Sequence, residues 1–106
     1  KFAVGSDLPS ARVNGVVATI REMELMVELG AHPMSVIMAA TKVPAELCGL
    51  IDEVGTLEEG KFADLVVVDG CPCENMRVLE DPVSVMKDGR WVKVTKDIET
   101  PDLGAW

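Results

Sequence analysis

Residues 56–70, TLEEGKFADLVVVDG, constrain the fold of this chain more than any other stretch. Their second half holds Leu65-Val66-Val67-Val68, an apolar run rich in β-branched residues, which predicts a buried strand. Before it, Glu58-Glu59-Gly60-Lys61 reads as a tight turn, with Gly60 free to take positive φ. Asp69-Gly70 closes the strand. A strand this apolar needs neighbours on both sides and covered faces. Downstream the sequence offers a single clear partner, a hairpin. In it Val83-Ser84-Val85-Met86-Lys87 and Arg90-Trp91-Val92-Lys93-Val94 flank Asp88-Gly89, the strongest short-range hairpin signal in the chain. These strands are too few to finish a sheet, so the chain reads as a piece of something larger.

Composition fits that reading. The 106 residues suffice for one domain with a modest core. Of these 48% are hydrophobic, with 2 Phe, 2 Trp and no Tyr, so the core must be aliphatic. A formal net charge of -8 argues against nucleic acid or an anionic membrane as partner. Cys48, Cys71 and Cys73 are odd in number and irregularly spaced, which is no disulfide framework. Free thiols and Met residues fit a reducing compartment, and hence a cytoplasmic protein. No apolar run reaches the length of a membrane-spanning helix. Lys1-Phe2-Ala3-Val4-Gly5 is too short for a signal peptide. The missing initiator Met fits either trimming or a chain that begins mid-protein.

Along the chain, Phe2-Ala3-Val4 reads as a short strand ending at Gly5, with Ser6, Asp7, Leu8, Pro9 and Ser10 in the loop after it. A carboxylate just past a strand's C-terminal end stands where α/β folds place binding chemistry. It could equally make an Asx-turn or a cap. Asn14-Gly15 is a turn signal. Thr19 with Glu22 forms a capping-box pattern, opening a helix with Ile20, Met23, Val27 and Ala31 near one face and Gly30 as its stop. His32-Pro33 opens a second helix to about Thr41, with Pro33 at its first position. His32, the single His, reads as a cap more readily than as a base or ligand. Val43-Pro44 begins a third, short helix ended by Gly49, with Cys48 as a small buried hydrophobe. Cys71-Pro72-Cys73 supplies two thiolates where a structural zinc site takes four ligands. It also lacks the two-residue spacing of a thioredoxin-type motif, so it reads as a loop. Met76, Val78 and Leu79 would tuck under the sheet, and residues 96–106 form a polar tail.

With these residues in order, the chain resembles the C-terminal part of a metal-dependent amidohydrolase, notably the imidazolonepropionase-like and Xaa-Pro-dipeptidase-like members. Val4-Gly5-Ser6-Asp7 resembles the end of the eighth strand of a TIM-like barrel. The Arg21 to Gly30 segment resembles the eighth barrel helix. Ala39-Ala40-Thr41 and Pro44-Ala45-Glu46-Leu47 resemble the helical run that follows. Gly55-Thr56-Leu57-Glu58-Glu59-Gly60-Lys61-Phe62-Ala63-Asp64-Leu65-Val66-Val67 is the most specific part and resembles the return of the chain into a small β-sandwich. Val85-Met86-Lys87-Asp88-Gly89-Arg90 resembles its closing hairpin.

The resemblance implies an α/β fold in three parts. Residues 1–53 would end the hydrolase barrel, 54–95 would belong to the sandwich, and 96–106 would be the tail. It implies that Asp7 is catalytic and metal-binding, contacting a divalent cation, usually zinc, and taking a proton from the attacking water for the leaving group. Ser6, Leu8 and Pro9 become candidate pocket-lining residues. The family's metal-binding His residues, and any bridging carboxylated Lys, belong to earlier strands. Lys61 is a surface turn residue and not that Lys. Cys71-Pro72-Cys73 stands where the family often has Asp-Pro-Leu.

The expected parent hydrolyses the C–N bond of a non-standard amide, cyclic amide or dipeptide. The isolated chain is expected to be inactive, to bind no metal and to self-associate for want of the N-terminal portion of its own protein. The rival readings are a stand-alone structural or assembly domain and, more remotely, a CxC metal module. An HxH motif in the reading frame upstream of Lys1 favours the enzyme, and a stop codon there favours the structural domain.

Overall fold

A computed structural model of the chain describes residues 1–7 and 14–94. It is a mixed α/β structure in which helices α1 (Gly15–Glu28), α2 (Pro33–Ala40) and α3 (Lys42–Leu47) precede strands β1 (Leu65–Val67), β2 (Ser84–Lys87) and β3 (Arg90–Val94). A single 3-10 turn, Met76–Leu79, lies between β1 and β2.

Helix α1 starts earlier than the Thr19–Glu22 pattern predicts. Asn14 is the N-cap, and its side-chain oxygen accepts from the Val16 and Val17 N–H groups at 3.0 and 3.3 Å. Asn14-Gly15 is thus a helix entry rather than a turn, since a short amide can satisfy the orphan donors of a first turn. The other end follows expectation. Gly30 takes φ 104, its N–H reaches Val27 O at 2.9 Å, and Ala31 N–H reaches Met26 O at 3.0 Å. That pair of bonds is a Schellman closure. Helix α2 begins at once. His32 caps it, its Nδ1 accepting from Met34 N–H at 3.2 Å, with Pro33 in the first turn. Helix α3 closes as α1 does, with Gly49 at φ 72 and bonds from Gly49 N–H to Glu46 O and Leu50 N–H to Ala45 O.

The core lies on the helical side. Ile20 and Met23 of α1, Val36 of α2 and Met76 of the 3-10 turn interlock, with Val4, Met26, Val27, Ala31, Ile37, Ala40 and Leu79 around them. Met76 therefore packs on the helices and not beneath the sheet, because the Asn75 side chain caps its turn by accepting from Arg77 N–H at 3.0 Å. An ion pair from Arg77 Nε to Glu24 of α1 at 2.8 Å holds the turn there.

The sheet has three antiparallel strands in the order β1-β2-β3. Asp88 and Gly89 take φ 50 and 74, the paired positive values of a tight hairpin turn. The register slips between Val85 and Met86, which face Lys93 and Trp91, leaving Val92 as the bulged residue. The expected buried strand is three residues long, and Val66 and Val67 remain 52% and 37% exposed. Strand β1 sits at an edge, so among the described residues one of its sides has no neighbour. Phe2-Ala3-Val4 likewise forms no strand among the described residues. Its recorded backbone bond runs from Val4 N–H to Ala39 O of α2 at 2.8 Å, and a strand needs a second strand to pair with. Cys48 is exposed rather than buried, since a helix of six residues has only Ala45 to bury. The 96–106 tail lies outside the described residues.

Candidate functional site

Asp7 lies three residues after Val4, whose N–H is tied to Ala39 O of α2. It is exposed and takes φ 44, a left-handed conformation that Asp tolerates better than most residues. Ser6 beside it is half-buried, while Leu8 and Pro9 lie outside the described residues. Among the described residues the Asp7 carboxylate makes no hydrogen bond or ion pair. Its chemistry suits one share of a divalent-cation site, a hard anionic oxygen donor with no competing partner among the described residues. The described residues do not complete such a site, since no three His, Cys, Asp or Glu side chains converge among them. A catalytic zinc takes about three protein ligands and a water.

A large concavity among the described residues lies elsewhere. About 610 Å³ of open space lies between α3 and β1, walled by apolar side chains such as Pro44, Leu57, Phe62 and Leu65. Asp64 reaches its edge, but its carboxylate is committed. One oxygen accepts from Asp88 N–H at 2.7 Å and the other from Lys87 Nζ at 2.6 Å. Gly89 N–H adds a bond to Ala63 O at 3.0 Å. Lys87 first, and then the Asp88 N–H, hold the Asp64 carboxyl below the usual carboxylate range. Asp64 is therefore the clamp of the hairpin turn, a role that sequence spacing could not show because its partners lie 23 and 24 residues away.

Lys61 also differs from its reading as a surface residue. Its side chain is only 12% exposed. Its ammonium pairs with Glu58 at 2.7 Å and donates to Thr56 Oγ1 at 2.6 Å. The Lys61 bond, then one from Thr56, lower the Glu58 carboxyl. The Gly60 turn with its φ of 90 carries these groups. His32 is occupied as a helix cap, as its place beside Pro33 predicts.

The described residues thus form a mixed α/β chain of three helices and a three-stranded antiparallel sheet. The model of the Amidohydrolase family matches residues 1–96, and the chain belongs to that family. It is similar to adenine deaminase 2 of Jannaschia sp. (strain CCS1), 35% identical over 86 residues, which cover 80% of this chain and 14% of the deaminase. It is similar also to a Xaa-Pro dipeptidase solved with methionine in its active site, at 40% identity and a TM-score of 0.68, over 71% of this chain and 18% of that one. A prolidase-like protein of Bifidobacterium longum matches at 38% identity and a TM-score of 0.77, over 91% of this chain and 24% of that one. The chain thus spans between about a seventh and a quarter of the length of these relatives, and what it resembles is the C-terminal part of an amidohydrolase. No helix among the described residues is long and apolar enough to cross a membrane.

Proposed function

We propose that this chain is the C-terminal part of a metal-dependent amidohydrolase that hydrolyses the C–N bond of an amide, cyclic amide or dipeptide. The observation that carries the reading is Asp7, an exposed carboxylate without a partner among the described residues, close after Val4 in a chain of this family. The relatives' names, dipeptidase and deaminase, share the breaking of a C–N bond. In the parent, residues 1–53 would complete a TIM-like barrel and 54–95 a β-sandwich. The 52% exposure of Val66 supports further layers over β1.

A divalent cation, zinc in our reading, would be held by Asp7 with ligands from outside this chain and would supply Lewis acidity to the scissile carbonyl. Asp7 accepts a proton from the attacking water and returns it to the leaving nitrogen. Ser6, with Leu8 and Pro9, lines the approach. Asp64 and Lys61 take no part in the chemistry and hold the sandwich turns.

The test uses the full-length protein on a panel of dipeptides, open amides and cyclic amides, scoring released amine or ammonia with and without a chelator. The expected result is turnover that a chelator removes and a divalent cation restores. A full-length protein that hydrolyses no C–N bond in the panel overturns the reading. The 106-residue chain alone should show no turnover, for Asp7 cannot fix a cation unaided. It should also self-associate through the β1 edge and the apolar concavity, so a concentration-independent monomer in sedimentation contradicts the idea that these surfaces await partners.

A further inference from the structure

The Cys71-Pro72-Cys73 segment lies outside the candidate site and the hairpin clamp. It forms one helical turn after Gly70, in which the Cys71 carbonyl accepts from both Glu74 N–H and Asn75 N–H at 3.0 Å. In such a turn Cα atoms two residues apart stand about 5.5 Å from each other, inside the range a disulfide spans. Both cysteines are free thiols, Cys71 exposed and Cys73 half-buried. Cys73 lines a small concavity of about 130 Å³ against Val27 of α1, with Pro72 and Met76. Burial first, and then the neighbouring Cys71, push the Cys73 thiol up.

We propose that Cys71 and Cys73 form a thiol–disulfide exchange site for low-molecular-weight disulfides, Cys71 reacting first and Cys73 closing the pair. Access decides the order, because exchange requires the attacking sulfur to reach the small disulfide in line, and Cys71 is the open one. Its thiolate attacks one sulfur of the small disulfide, forming a mixed disulfide and releasing one thiol. Cys73 then loses its proton, attacks the Cys71 sulfur and expels the second thiol. Two protein thiols are oxidised and one small disulfide is reduced to two thiols. Pro72 holds the intervening backbone at fixed φ, so the second step needs little chain ordering. Cys48, exposed at the C-terminal cap of α3 but with no neighbouring thiol among the described residues, is a built-in control.

The experiment treats the full-length native protein with glutathione disulfide at neutral pH, blocks remaining thiols with iodoacetamide, and maps the tryptic peptide of residues 62–77 by mass. The expected product has lost two hydrogens and carries neither glutathione nor the blocking group, while Cys48 carries glutathione. Cys73→Ser should stop the reaction at glutathionylated Cys71, and dithiothreitol should reverse both. Accumulation of a stable mixed disulfide in the unsubstituted protein overturns the proposal. So does an unreacted pair under conditions that modify Cys48.

Discussion

Val36, at the centre of the helical side, is completely buried, whereas Val66, in the middle of β1, keeps 52% of its surface open. Both are β-branched residues within apolar runs. The difference lies in how many layers reach them. Val36 is enclosed by α1, α2 and the 3-10 turn, which together shut water out. Val66 has β2 on one side and, among the described residues, no strand on the other. The helical side is therefore held by burial, which is non-directional and proportional to area. The sheet is held by directional polar contacts at its turns, chiefly Asp64 on the hairpin and Lys61 on Glu58 and Thr56. The two sides also use aspartate differently. Asp64 spends both oxygens on structure, and Asp7 spends neither on any partner among the described residues. A carboxylate tied into a turn as Asp64 is has no oxygen to spare for chemistry.

The largest expected effect sharpens that contrast. In the full-length protein Asp7→Asn should lower kcat by about 10²–10⁴-fold with little change in the unfolding midpoint, because Asn keeps the shape and loses the proton acceptor. Asp64→Asn should leave kcat near the parental value while lowering the midpoint. Parallel assays of kcat and thermal unfolding on both variants check it. If Asp7→Asn loses activity only in step with its folded fraction, Asp7 is a cap and the contrast fails.

The next effect concerns the joint between the two sides. Gly55 takes φ 100, and a Cβ built there would meet the Ala45 Cβ at 2.6 Å and the Thr41 carbonyl oxygen at 3.3 Å. Gly55→Ala adds a left-handed conformation cost to an overpacking cost, together about 2–4 kcal/mol. Denaturant unfolding should show that loss, and a change below about 0.5 kcal/mol would mean that α3 and the loop separate easily. Smaller again, Asn14→Ala removes the α1 cap and should cost about 1 kcal/mol. Asn14→Ser should recover most of it, as another good cap.

The helix stops were legible because their causes are local. Gly30, Gly49 and Pro33 act within a turn of where they stand, and so do Asp88 and Gly89 in the hairpin. The start of α1 was misread because Asn14 and Thr19 both carry capping chemistry, and only the backbone path chooses between them. Burial was legible on the helices, where period and core agree, and overestimated at β1 and Cys48. An apolar pattern reports that a residue needs covering, not that this chain covers it. The candidacy of Asp7, still a proposal, could be read from its place after an apolar segment and from the family resemblance. The Asp64 clamp could not, since its bonds depend on tertiary register that spacing does not encode.

The smallest effect tests whether polar contacts hold the sheet as burial holds the helices. The Asp64 carboxyl is lowered by the Lys87 ammonium first and the Asp88 N–H second, against a weaker opposing push from desolvation. A carboxylate lowered in the folded chain binds its proton less readily there than when unfolded. Its contribution is thus fully present above the unfolded value of about 3.9 and drains away as pH falls through the lower folded value. Stability should accordingly decline below about pH 4, and Asp64→Asn should make that decline shallower. It should not abolish it, because Glu24, lowered by Arg77 and Arg21, and Glu58, lowered by Lys61 and Thr56, titrate in the same direction. Lys87→Gln should remove more of the Asp64 share than loss of the Asp88 N–H bond could, since Lys87 is the larger cause. The Lys87 side chain is 68% exposed, so added salt should weaken the effect. Denaturant midpoints from pH 6 to pH 2 at low salt read all of these at once. An acid slope for Asp64→Asn equal to that of the unsubstituted protein would mean that the clamp fixes the turn's geometry without stabilising the fold, and the sheet would then depend on whatever covers Val66.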